Sequence, residues 1–267
     1  LKSSRDFLHY RDTSAYFQRA RKALPVIEAA LARDAAQGRA AAEHALKRLY
    51  RVALHADDSG GLIGDLMQDC MKVVQRSLAA APPASDWADT LLQLVEADPY
   101  GIWHVDDMLS AAGHEVSRRW SKLLVQRWEQ LEAGAGRGDA KKEVSWGSGG
   151  TLTEADMERR FLRRECLADF ERQQDIAALI GFARRSAHDD WDHVEVVRLC
   201  EKHGRWREAL TAAQAAHKQN PKSHLAEEAL LRCYERDGWD EEAFALRKQR
   251  FWNHTRPDEW RALLEVA

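Results

Sequence analysis

β-Branched residues are scarce in this sequence: 13 Val, 5 Ile and 6 Thr stand among 267 positions, against 42 Ala. Val, Ile and Thr favour a pleated strand, and Ala carries the smallest helix penalty. The shortage therefore argues against a sheet-based fold and predicts an all-α one. No apolar run approaches the ~18 residues that cross a bilayer, and no secretory leader pattern opens the chain, so no membrane is expected among its partners. The four cysteines, Cys70, Cys166, Cys200 and Cys233, never come closer than 33 residues. Without a C-x-x-C pair there is no local zinc ribbon or thioredoxin-type motif, and scattered thiols in a helical chain predict a reducing cytoplasm. A charge excess is missing too: 40 basic and 43 acidic residues leave a net charge of -3. That balance gives no general drive toward nucleic acid. No phosphate loop, dinucleotide fingerprint or nucleophile–base–orienter set is readable, so neither a catalytic residue nor a cofactor is expected. The first residue is Leu1 rather than Met, as expected of an excerpt from a longer protein.

What is present is helical periodicity. A helix is predicted over 15–32, with Pro25 kinking or splitting it. A second spans 39–54, with Leu46, Leu49 and Leu54 on one side. Asp57-Asp58-Ser59 then offers capping oxygens to a helix running to about Ala80, and Pro82-Pro83 closes it. Further helices are predicted near 86–97, 105–112 and 115–132. Six glycines fall between Gly134 and Gly150, and that density reads as a flexible linker over 134–152. Gly147-Ser148-Gly149 within it lacks the preceding strand that a nucleophile elbow needs. The expected organisation is thus an N-terminal helical domain over 1–133, the linker, and a second helical domain over 153–267.

The second domain repeats itself. Gly204 and Gly238 are 34 residues apart, as are Ala209 and Ala243, and Pro221 lies 17 beyond Gly204. Gly permits the φ > 0 conformation that ends many helices, and small residues allow two helices to cross closely. Gly204, Trp206, Ala209, Ala216 and Pro221 resemble the tetratricopeptide repeat, a 34-residue helix–turn–helix. The copy at Gly238 and Ala243 is degenerate, with Trp239 one place early and Arg250 where a small residue is usual. An earlier partial copy joins at Gln173-Gln174-Asp175, and a last helix is predicted from Asp258. The resemblance implies a solenoid of stacked helical hairpins.

Four stretches also resemble an uncharacterised bacterial domain family, some of whose members carry a SWIM-type zinc finger upstream. They are Arg5 to Tyr10, Asp57 to Asp65, Asp98-Pro99-Tyr100-Gly101, and the repeats. The resemblance implies a fold and no activity. The Cys-x-Cys and Cys-x-His pairs of the zinc finger are absent, so no metal is expected.

Several constellations have more than one reading. Asp57, Asp58, Ser59, Gly61, Gly64 and Asp65 form either a ligand loop or a turn, although the alternating ligands of a calcium loop are missing. His188-Asp189-Asp190-Trp191-Asp192-His193 reads as a helix start, because i,i+5 spacing keeps its two histidines off one face. Residues 1–56 hold 11 basic and five acidic side chains, and Arg159, Arg160, Arg163 and Arg164 could make a basic helix face for phosphate. Of ten tryptophans, Trp191, Trp206, Trp239 and Trp260 fall at repeat-like positions that suggest core. Trp103, Trp120, Trp128 and Trp252 suggest anchors between helices. The expected function is a non-catalytic repeat scaffold holding a protein or peptide partner. The alternative is a nucleic-acid-associated protein using the basic N-terminal helices.

Overall fold

The structure, a computed structural model, describes residues 7–134, 143–145 and 151–254. The fold is helical, as the dearth of β-branched residues predicts. Helix α1 (Tyr10–Ala20) passes through a single 3-10 turn at Arg21–Ala23 into α2 (Leu24–Arg33). Pro25 splits the helix expected over 15–32 and sits in the first turn of α2, where its missing N–H leaves no bond unmade. Asp34 ends α2 in an extended conformation and caps α3 (Ala35–Ala53), its carboxylate accepting from the N–H groups of Ala36 at 2.8 Å and Gln37 at 3.1 Å.

Helix α4 (Leu62–Ala80) lies against α1, α2, α3 and α6 (Val105–Ala112). Its Ile63, Met67, Val74 and Leu78 are fully buried, each such side chain contributing ~1.5–3 kcal/mol. Helix α5 (Trp87–Glu96) packs on α3 and on α7 (His114–Gly134). Indole groups tie these helices together. Trp87 donates to Glu43 at 2.6 Å, and Trp103 donates to the Tyr50 hydroxyl at 2.6 Å. Trp120 is fully buried, so two of the expected anchors, Trp103 and Trp120, are inside. Leu54, expected on the apolar side of α3, follows the end of that helix and is exposed.

Strands β1 (Glu143–Ser145) and β2 (Thr151–Thr153) pair antiparallel, with Val144 opposite Leu152. Most of the expected linker, including Trp146 and Gly147-Ser148-Gly149, lies outside the described residues. A strand does precede Gly147, contrary to expectation, yet a second strand follows where a nucleophile elbow needs a helix. Helix α8 (Glu154–Arg172) comes next.

The chain divides into two compact units, Leu1–Leu162 and Arg163–Ala267. The division falls inside α8, where no glycine or proline marks it, and so differs from the 1–133 and 153–267 halves expected from glycine content. The second unit contains α9 (Ile176–Ser186), α10 (Asp190–Lys202), α11 (Trp206–Gln219), α12 (His224–Asp237) and α13 (Asp240–His254). From α9 onward each helix packs on the next, and α10 also touches α12. Asp175, Asp189 and Ser223 cap α9, α10 and α12 through their side-chain oxygens. The helix expected from Asp258, with Pro257 and Trp260, lies outside the described residues. No helix among the described residues is long and apolar enough to cross a membrane.

Candidate protein-binding surface

Three helix ends in the second unit close in the same way. Gln174, Gly204 and Gly238 have φ values of 58°, 68° and 71°. The next N–H in each case, from Asp175, Arg205 or Trp239, donates to a carbonyl five residues back. Phe170, Cys200 and Tyr234 accept at 3.1, 2.8 and 2.9 Å, the bond that ends a Schellman-type cap. A Cβ built on Gly204 or Gly238 would meet nothing within 4 Å. Those glycines therefore serve backbone conformation rather than close approach. Gln174 adopts the same conformation with a side chain, which costs ~1–2 kcal/mol.

Contacts between helices recur at a nearly constant sequence distance. Glu171 pairs with Lys202, and Glu201 with Arg232 at 3.4 Å, each 31 residues apart. Arg163 meets Asp192 at 3.0 Å and also pairs with Glu195. Asn220 donates to Asp190 at 2.8 Å, 30 residues away. The Arg236 guanidinium lies 4.3 Å from the centre of the Trp206 ring, again 30 residues away.

Small side chains line one part of the interior of this unit, beside larger ones such as Leu179, Phe182 and Leu230. Ala209, Ala213 and Ala216 form a buried stripe along α11, and Ala243 is buried in α13. Pro221 is an exposed loop residue between α11 and α12. Of the tryptophans expected in the core, Trp191, Trp206 and Trp239 are outside it, and Trp260 lies outside the described residues. Trp191, Trp206, Trp239 and Trp252 are exposed by 55%, 44%, 42% and 67%. Three have one ring face braced. Arg198 lies 4.9 Å from the Trp191 centroid, Arg236 covers Trp206, and Tyr234 stacks on Trp239 at 5.7 Å. A recess of about 590 Å³ opens beside Trp239, lined also by Gly238, Asp240, Glu241 and Glu242.

The four arginines read as a phosphate-binding face do not form one. Arg163 is buried against Asp192, Glu195 and the Ser186 hydroxyl. Arg159 pairs with Glu132 and lies 5.2 Å from the Trp128 centroid. Arg164 pairs with Glu165 at 2.9 Å, and Arg160 is exposed. Runs of Arg on a helix distribute around its axis, so one member faces inward and finds carboxylates there. The acidic stretch 188–193 is a helix start: Asp189 accepts from Asp192 N–H at 2.9 Å, and Asp192 accepts from His188 N–H at 2.9 Å.

In the first unit, the Asp57–Asp65 loop is organised by Asp58. One carboxylate oxygen accepts from Ile63 N–H at 3.0 Å. The other accepts from Gly64 N–H at 3.0 Å and from the Tyr100 hydroxyl at 3.2 Å. Asp58 thus does the work of an N-cap for α4 from three residues before Gly61, whose φ of 71° no side chain adopts readily. Asp57 accepts from Ser59 N–H at 3.2 Å, and Asp65 is exposed in the first turn of α4. Burial first, then the Asp58 charge and bond, push the Tyr100 phenol up to about 12. Asp98 accepts from the N–H groups of Tyr100 at 2.9 Å and Ile102 at 2.5 Å. Leu8 bridges to this loop, its N–H donating to His55 at 2.8 Å and its carbonyl accepting from Asp57 at 2.8 Å. Three of the stretches singled out in the sequence therefore meet at one corner, a proximity that no local pattern reveals.

All four thiols are buried and unbridged. Burial and nearby carboxylates push Cys70 and Cys166 up to about 12 and Cys233, by burial first, up to about 11, so they are poor nucleophiles at neutral pH. Among the described residues no group of three or more His, Cys, Asp or Glu is placed to hold a metal ion. No protein-family model and no curated protein matches the chain.

Proposed function

We propose that this protein is a non-catalytic helical-repeat scaffold that binds a protein or peptide partner through the exposed tryptophans of its second unit. The observation that carries the reading is their exposure. Among the described residues, every exposed large hydrophobic of that unit is a Trp. A Trp buries 150–250 Å² when covered, and Trp and Arg are the residues that most often dominate binding energy at interfaces. Arg198, Arg236 and Tyr234 brace three of the rings, so less side-chain freedom remains to be lost on association.

The scaffold itself is read as tetratricopeptide-like. The shared closure at Gln174, Gly204 and Gly238 supports this, as do the contacts recurring every 29–32 residues. Each hairpin would then bury a face that it cannot bury alone. Unbridged buried thiols suit the reducing cytoplasm in which we place the protein.

The test compares partner capture by the parent and by Trp191→Ser, Trp206→Ser and Trp239→Ser combined, with identification by mass spectrometry. Exposed rings can be removed with the helix content unchanged, checked by circular dichroism. A partner retained by the parent and lost by the variant supports the reading. Equal retention refutes it. A salt-dependent mobility shift of an oligonucleotide, with no protein captured, would move the function to the basic N-terminal helices.

A further inference from the structure

Among the described residues of the first unit, four of the six exposed large apolar side chains are gathered, Val26 and Val125 being the other two. Phe7, Tyr10, Leu54 and Tyr100 are exposed by 48%, 58%, 66% and 43%; Phe7, Tyr10 and Tyr100 belong to the three stretches that meet around the Asp57–Asp65 loop, and Leu54 precedes the His55 carbonyl that Leu8 bonds. Two of the rings are held in place. A Cβ on Gly60 would stand 3.4 Å from the Tyr10 ring and one on Gly64 3.5 Å from the Tyr100 ring, while Asp58 tethers the Tyr100 hydroxyl at 3.2 Å. Glycine in the loop therefore lets both rings lie down on backbone, and neither needs to be ordered when something binds.

Among the described residues the charge at this corner is one-sided. Residues 7–12, 54–65 and 98–101 carry Arg11 against Asp12, Asp57, Asp58, Asp65 and Asp98. The oxygens of Asp58 and Asp98 are taken by N–H and hydroxyl donors, which neutralise no charge. Among the described residues no Lys or Arg pairs with Asp57, Asp58, Asp65 or Asp98. Fixed aromatic faces beside uncompensated carboxylates attract a cation both by Coulomb's law and through the ring quadrupole. They repel an acidic segment and give a purely apolar one no electrostatic gain. We propose that this corner is a second docking surface, whose occupant is a basic segment of a partner protein with Arg or Lys side chains over Tyr10 and Tyr100 and aliphatic side chains against Phe7 and Leu54. It is separate from the tryptophan face and stands without it.

The five tyrosines of the chain make the test site-specific. The full chain, labelled on its tyrosine rings, is titrated by NMR with a twelve-residue peptide of four Arg-Gly-Leu units and with its Glu-Gly-Leu counterpart. The expected result is saturable shifts of Tyr10 and Tyr100 with the arginine peptide alone, while Tyr16 and Tyr50, both buried, and Tyr234 in the other unit stay put. Asp65→Lys, an exposed change, should weaken the binding by about fivefold or more and reduce its dependence on salt. The variant's unchanged melting temperature would show that the fold is intact. The proposal is overturned if the glutamate peptide shifts the same rings or Asp65→Lys binds as well as the parent. It is equally overturned if the rings stay still with the arginine peptide, or respond only to raised protein concentration, which would mark an interface between copies of this chain.

Discussion

Replacing Gly38 with Ala sets two effects of opposite sign against each other. Gly38 lies inside α3, and Gly in a helix interior is less favourable than Ala by ~1 kcal/mol, so propensity alone makes the substitution stabilising. The structure reverses the sign. The new methyl would stand 2.4 Å from the Leu31 Cα, 2.7 Å from its Cβ and 2.7 Å from its backbone nitrogen. Carbon atoms settle at ~3.5–4.0 Å, so α3 has to retreat from α2 by roughly 1 Å. Backbone offers no rotamer by which to yield, and the helices are joined through Asp34 alone, so the retreat spreads into the packing beyond. Overpacking of this kind costs ~1–3 kcal/mol. With the propensity gain deducted, a net loss of up to ~2 kcal/mol is expected, in place of the gain that propensity alone gives.

Gly181→Ala is the matched control, because Gly181 lies inside α9 and its Cβ would meet only the flexible Arg185 guanidinium, at 3.4 Å. It should stabilise by ~0.5–1 kcal/mol. Both variants are compared with the parent by chemical denaturation of the full chain. A chain of two units can unfold in two steps, so each transition is fitted separately. Equal stabilisation by the two substitutions would falsify the close approach of α2 and α3.

Other outcomes follow from the same geometry. Ala209→Leu should cost ~1–3 kcal/mol by overpacking, whereas Ala215→Leu, exposed on the same helix, should change denaturation by less than ~0.5 kcal/mol; equal effects would disprove the buried alanine stripe. Gln174→Gly should raise stability by ~0.5–1 kcal/mol by relieving its left-handed backbone, and Gly204→Ala should lower it by ~1 kcal/mol; thermal melts that order these two the other way would refute the shared turn. Burial pushes the Glu43 carboxyl above its ordinary 4.5, against the opposing Trp87 bond and the Arg39 and Lys47 charges. The folded state then holds that proton more tightly than the unfolded state, so this contribution to stability falls as pH rises from 4.5 through the raised value. Glu43→Gln, which keeps an acceptor for Trp87, should be at least as stable as the parent at pH 7 and should lose that advantage as pH falls toward 4.5, while Glu43→Ala strands the indole N–H and should cost ~1–3 kcal/mol; a stability difference between the Gln variant and the parent that does not change with pH would refute the assignment.

What the sequence reveals depends on whether a constraint is local. Pro25 splits a helix because of its own ring, and Gly204 and Gly238 mark turns because few other residues adopt positive φ, so these are readable one residue at a time. Gln174 makes the same turn without glycine, and only the Asp175 cap after it gives the turn away. The tryptophans mislead because periodicity says that a ring belongs to a helix boundary, not whether the neighbouring helix leaves room for it. Arg163 was indistinguishable from Arg159, Arg160 and Arg164 by type, and only the direction of its side chain separates an interior ion pair from a surface charge. Gly38 carries no local sign of its function at all, since the atom that excludes a methyl group belongs to Leu31 on another helix.

The exposed rings constrain how a partner must engage the second unit. A Trp about half exposed keeps roughly 120 Å² open, which at ~25 cal/mol per Å² is worth ~3 kcal/mol when covered. Association costs ~4–15 kcal/mol before any net affinity appears. A partner that covers only Trp206, or only Trp239, therefore falls short of that cost. One that covers Trp191, Trp206 and Trp239 together gains ~9 kcal/mol from the rings alone, which exceeds the lower end of that cost before any other contact is counted. The braces sharpen this requirement. Arg236 is fixed over Trp206 and Tyr234 over Trp239, and both braces come from the last turn of α12. A partner must then match ring positions set by the backbone of α12, because the rings cannot readily move to suit the partner. Binding should consequently be lost in steps of roughly a hundredfold per ring removed, and it should respond to Gly238→Ala, which touches no partner but shifts the turn that sets Trp239 against Tyr234.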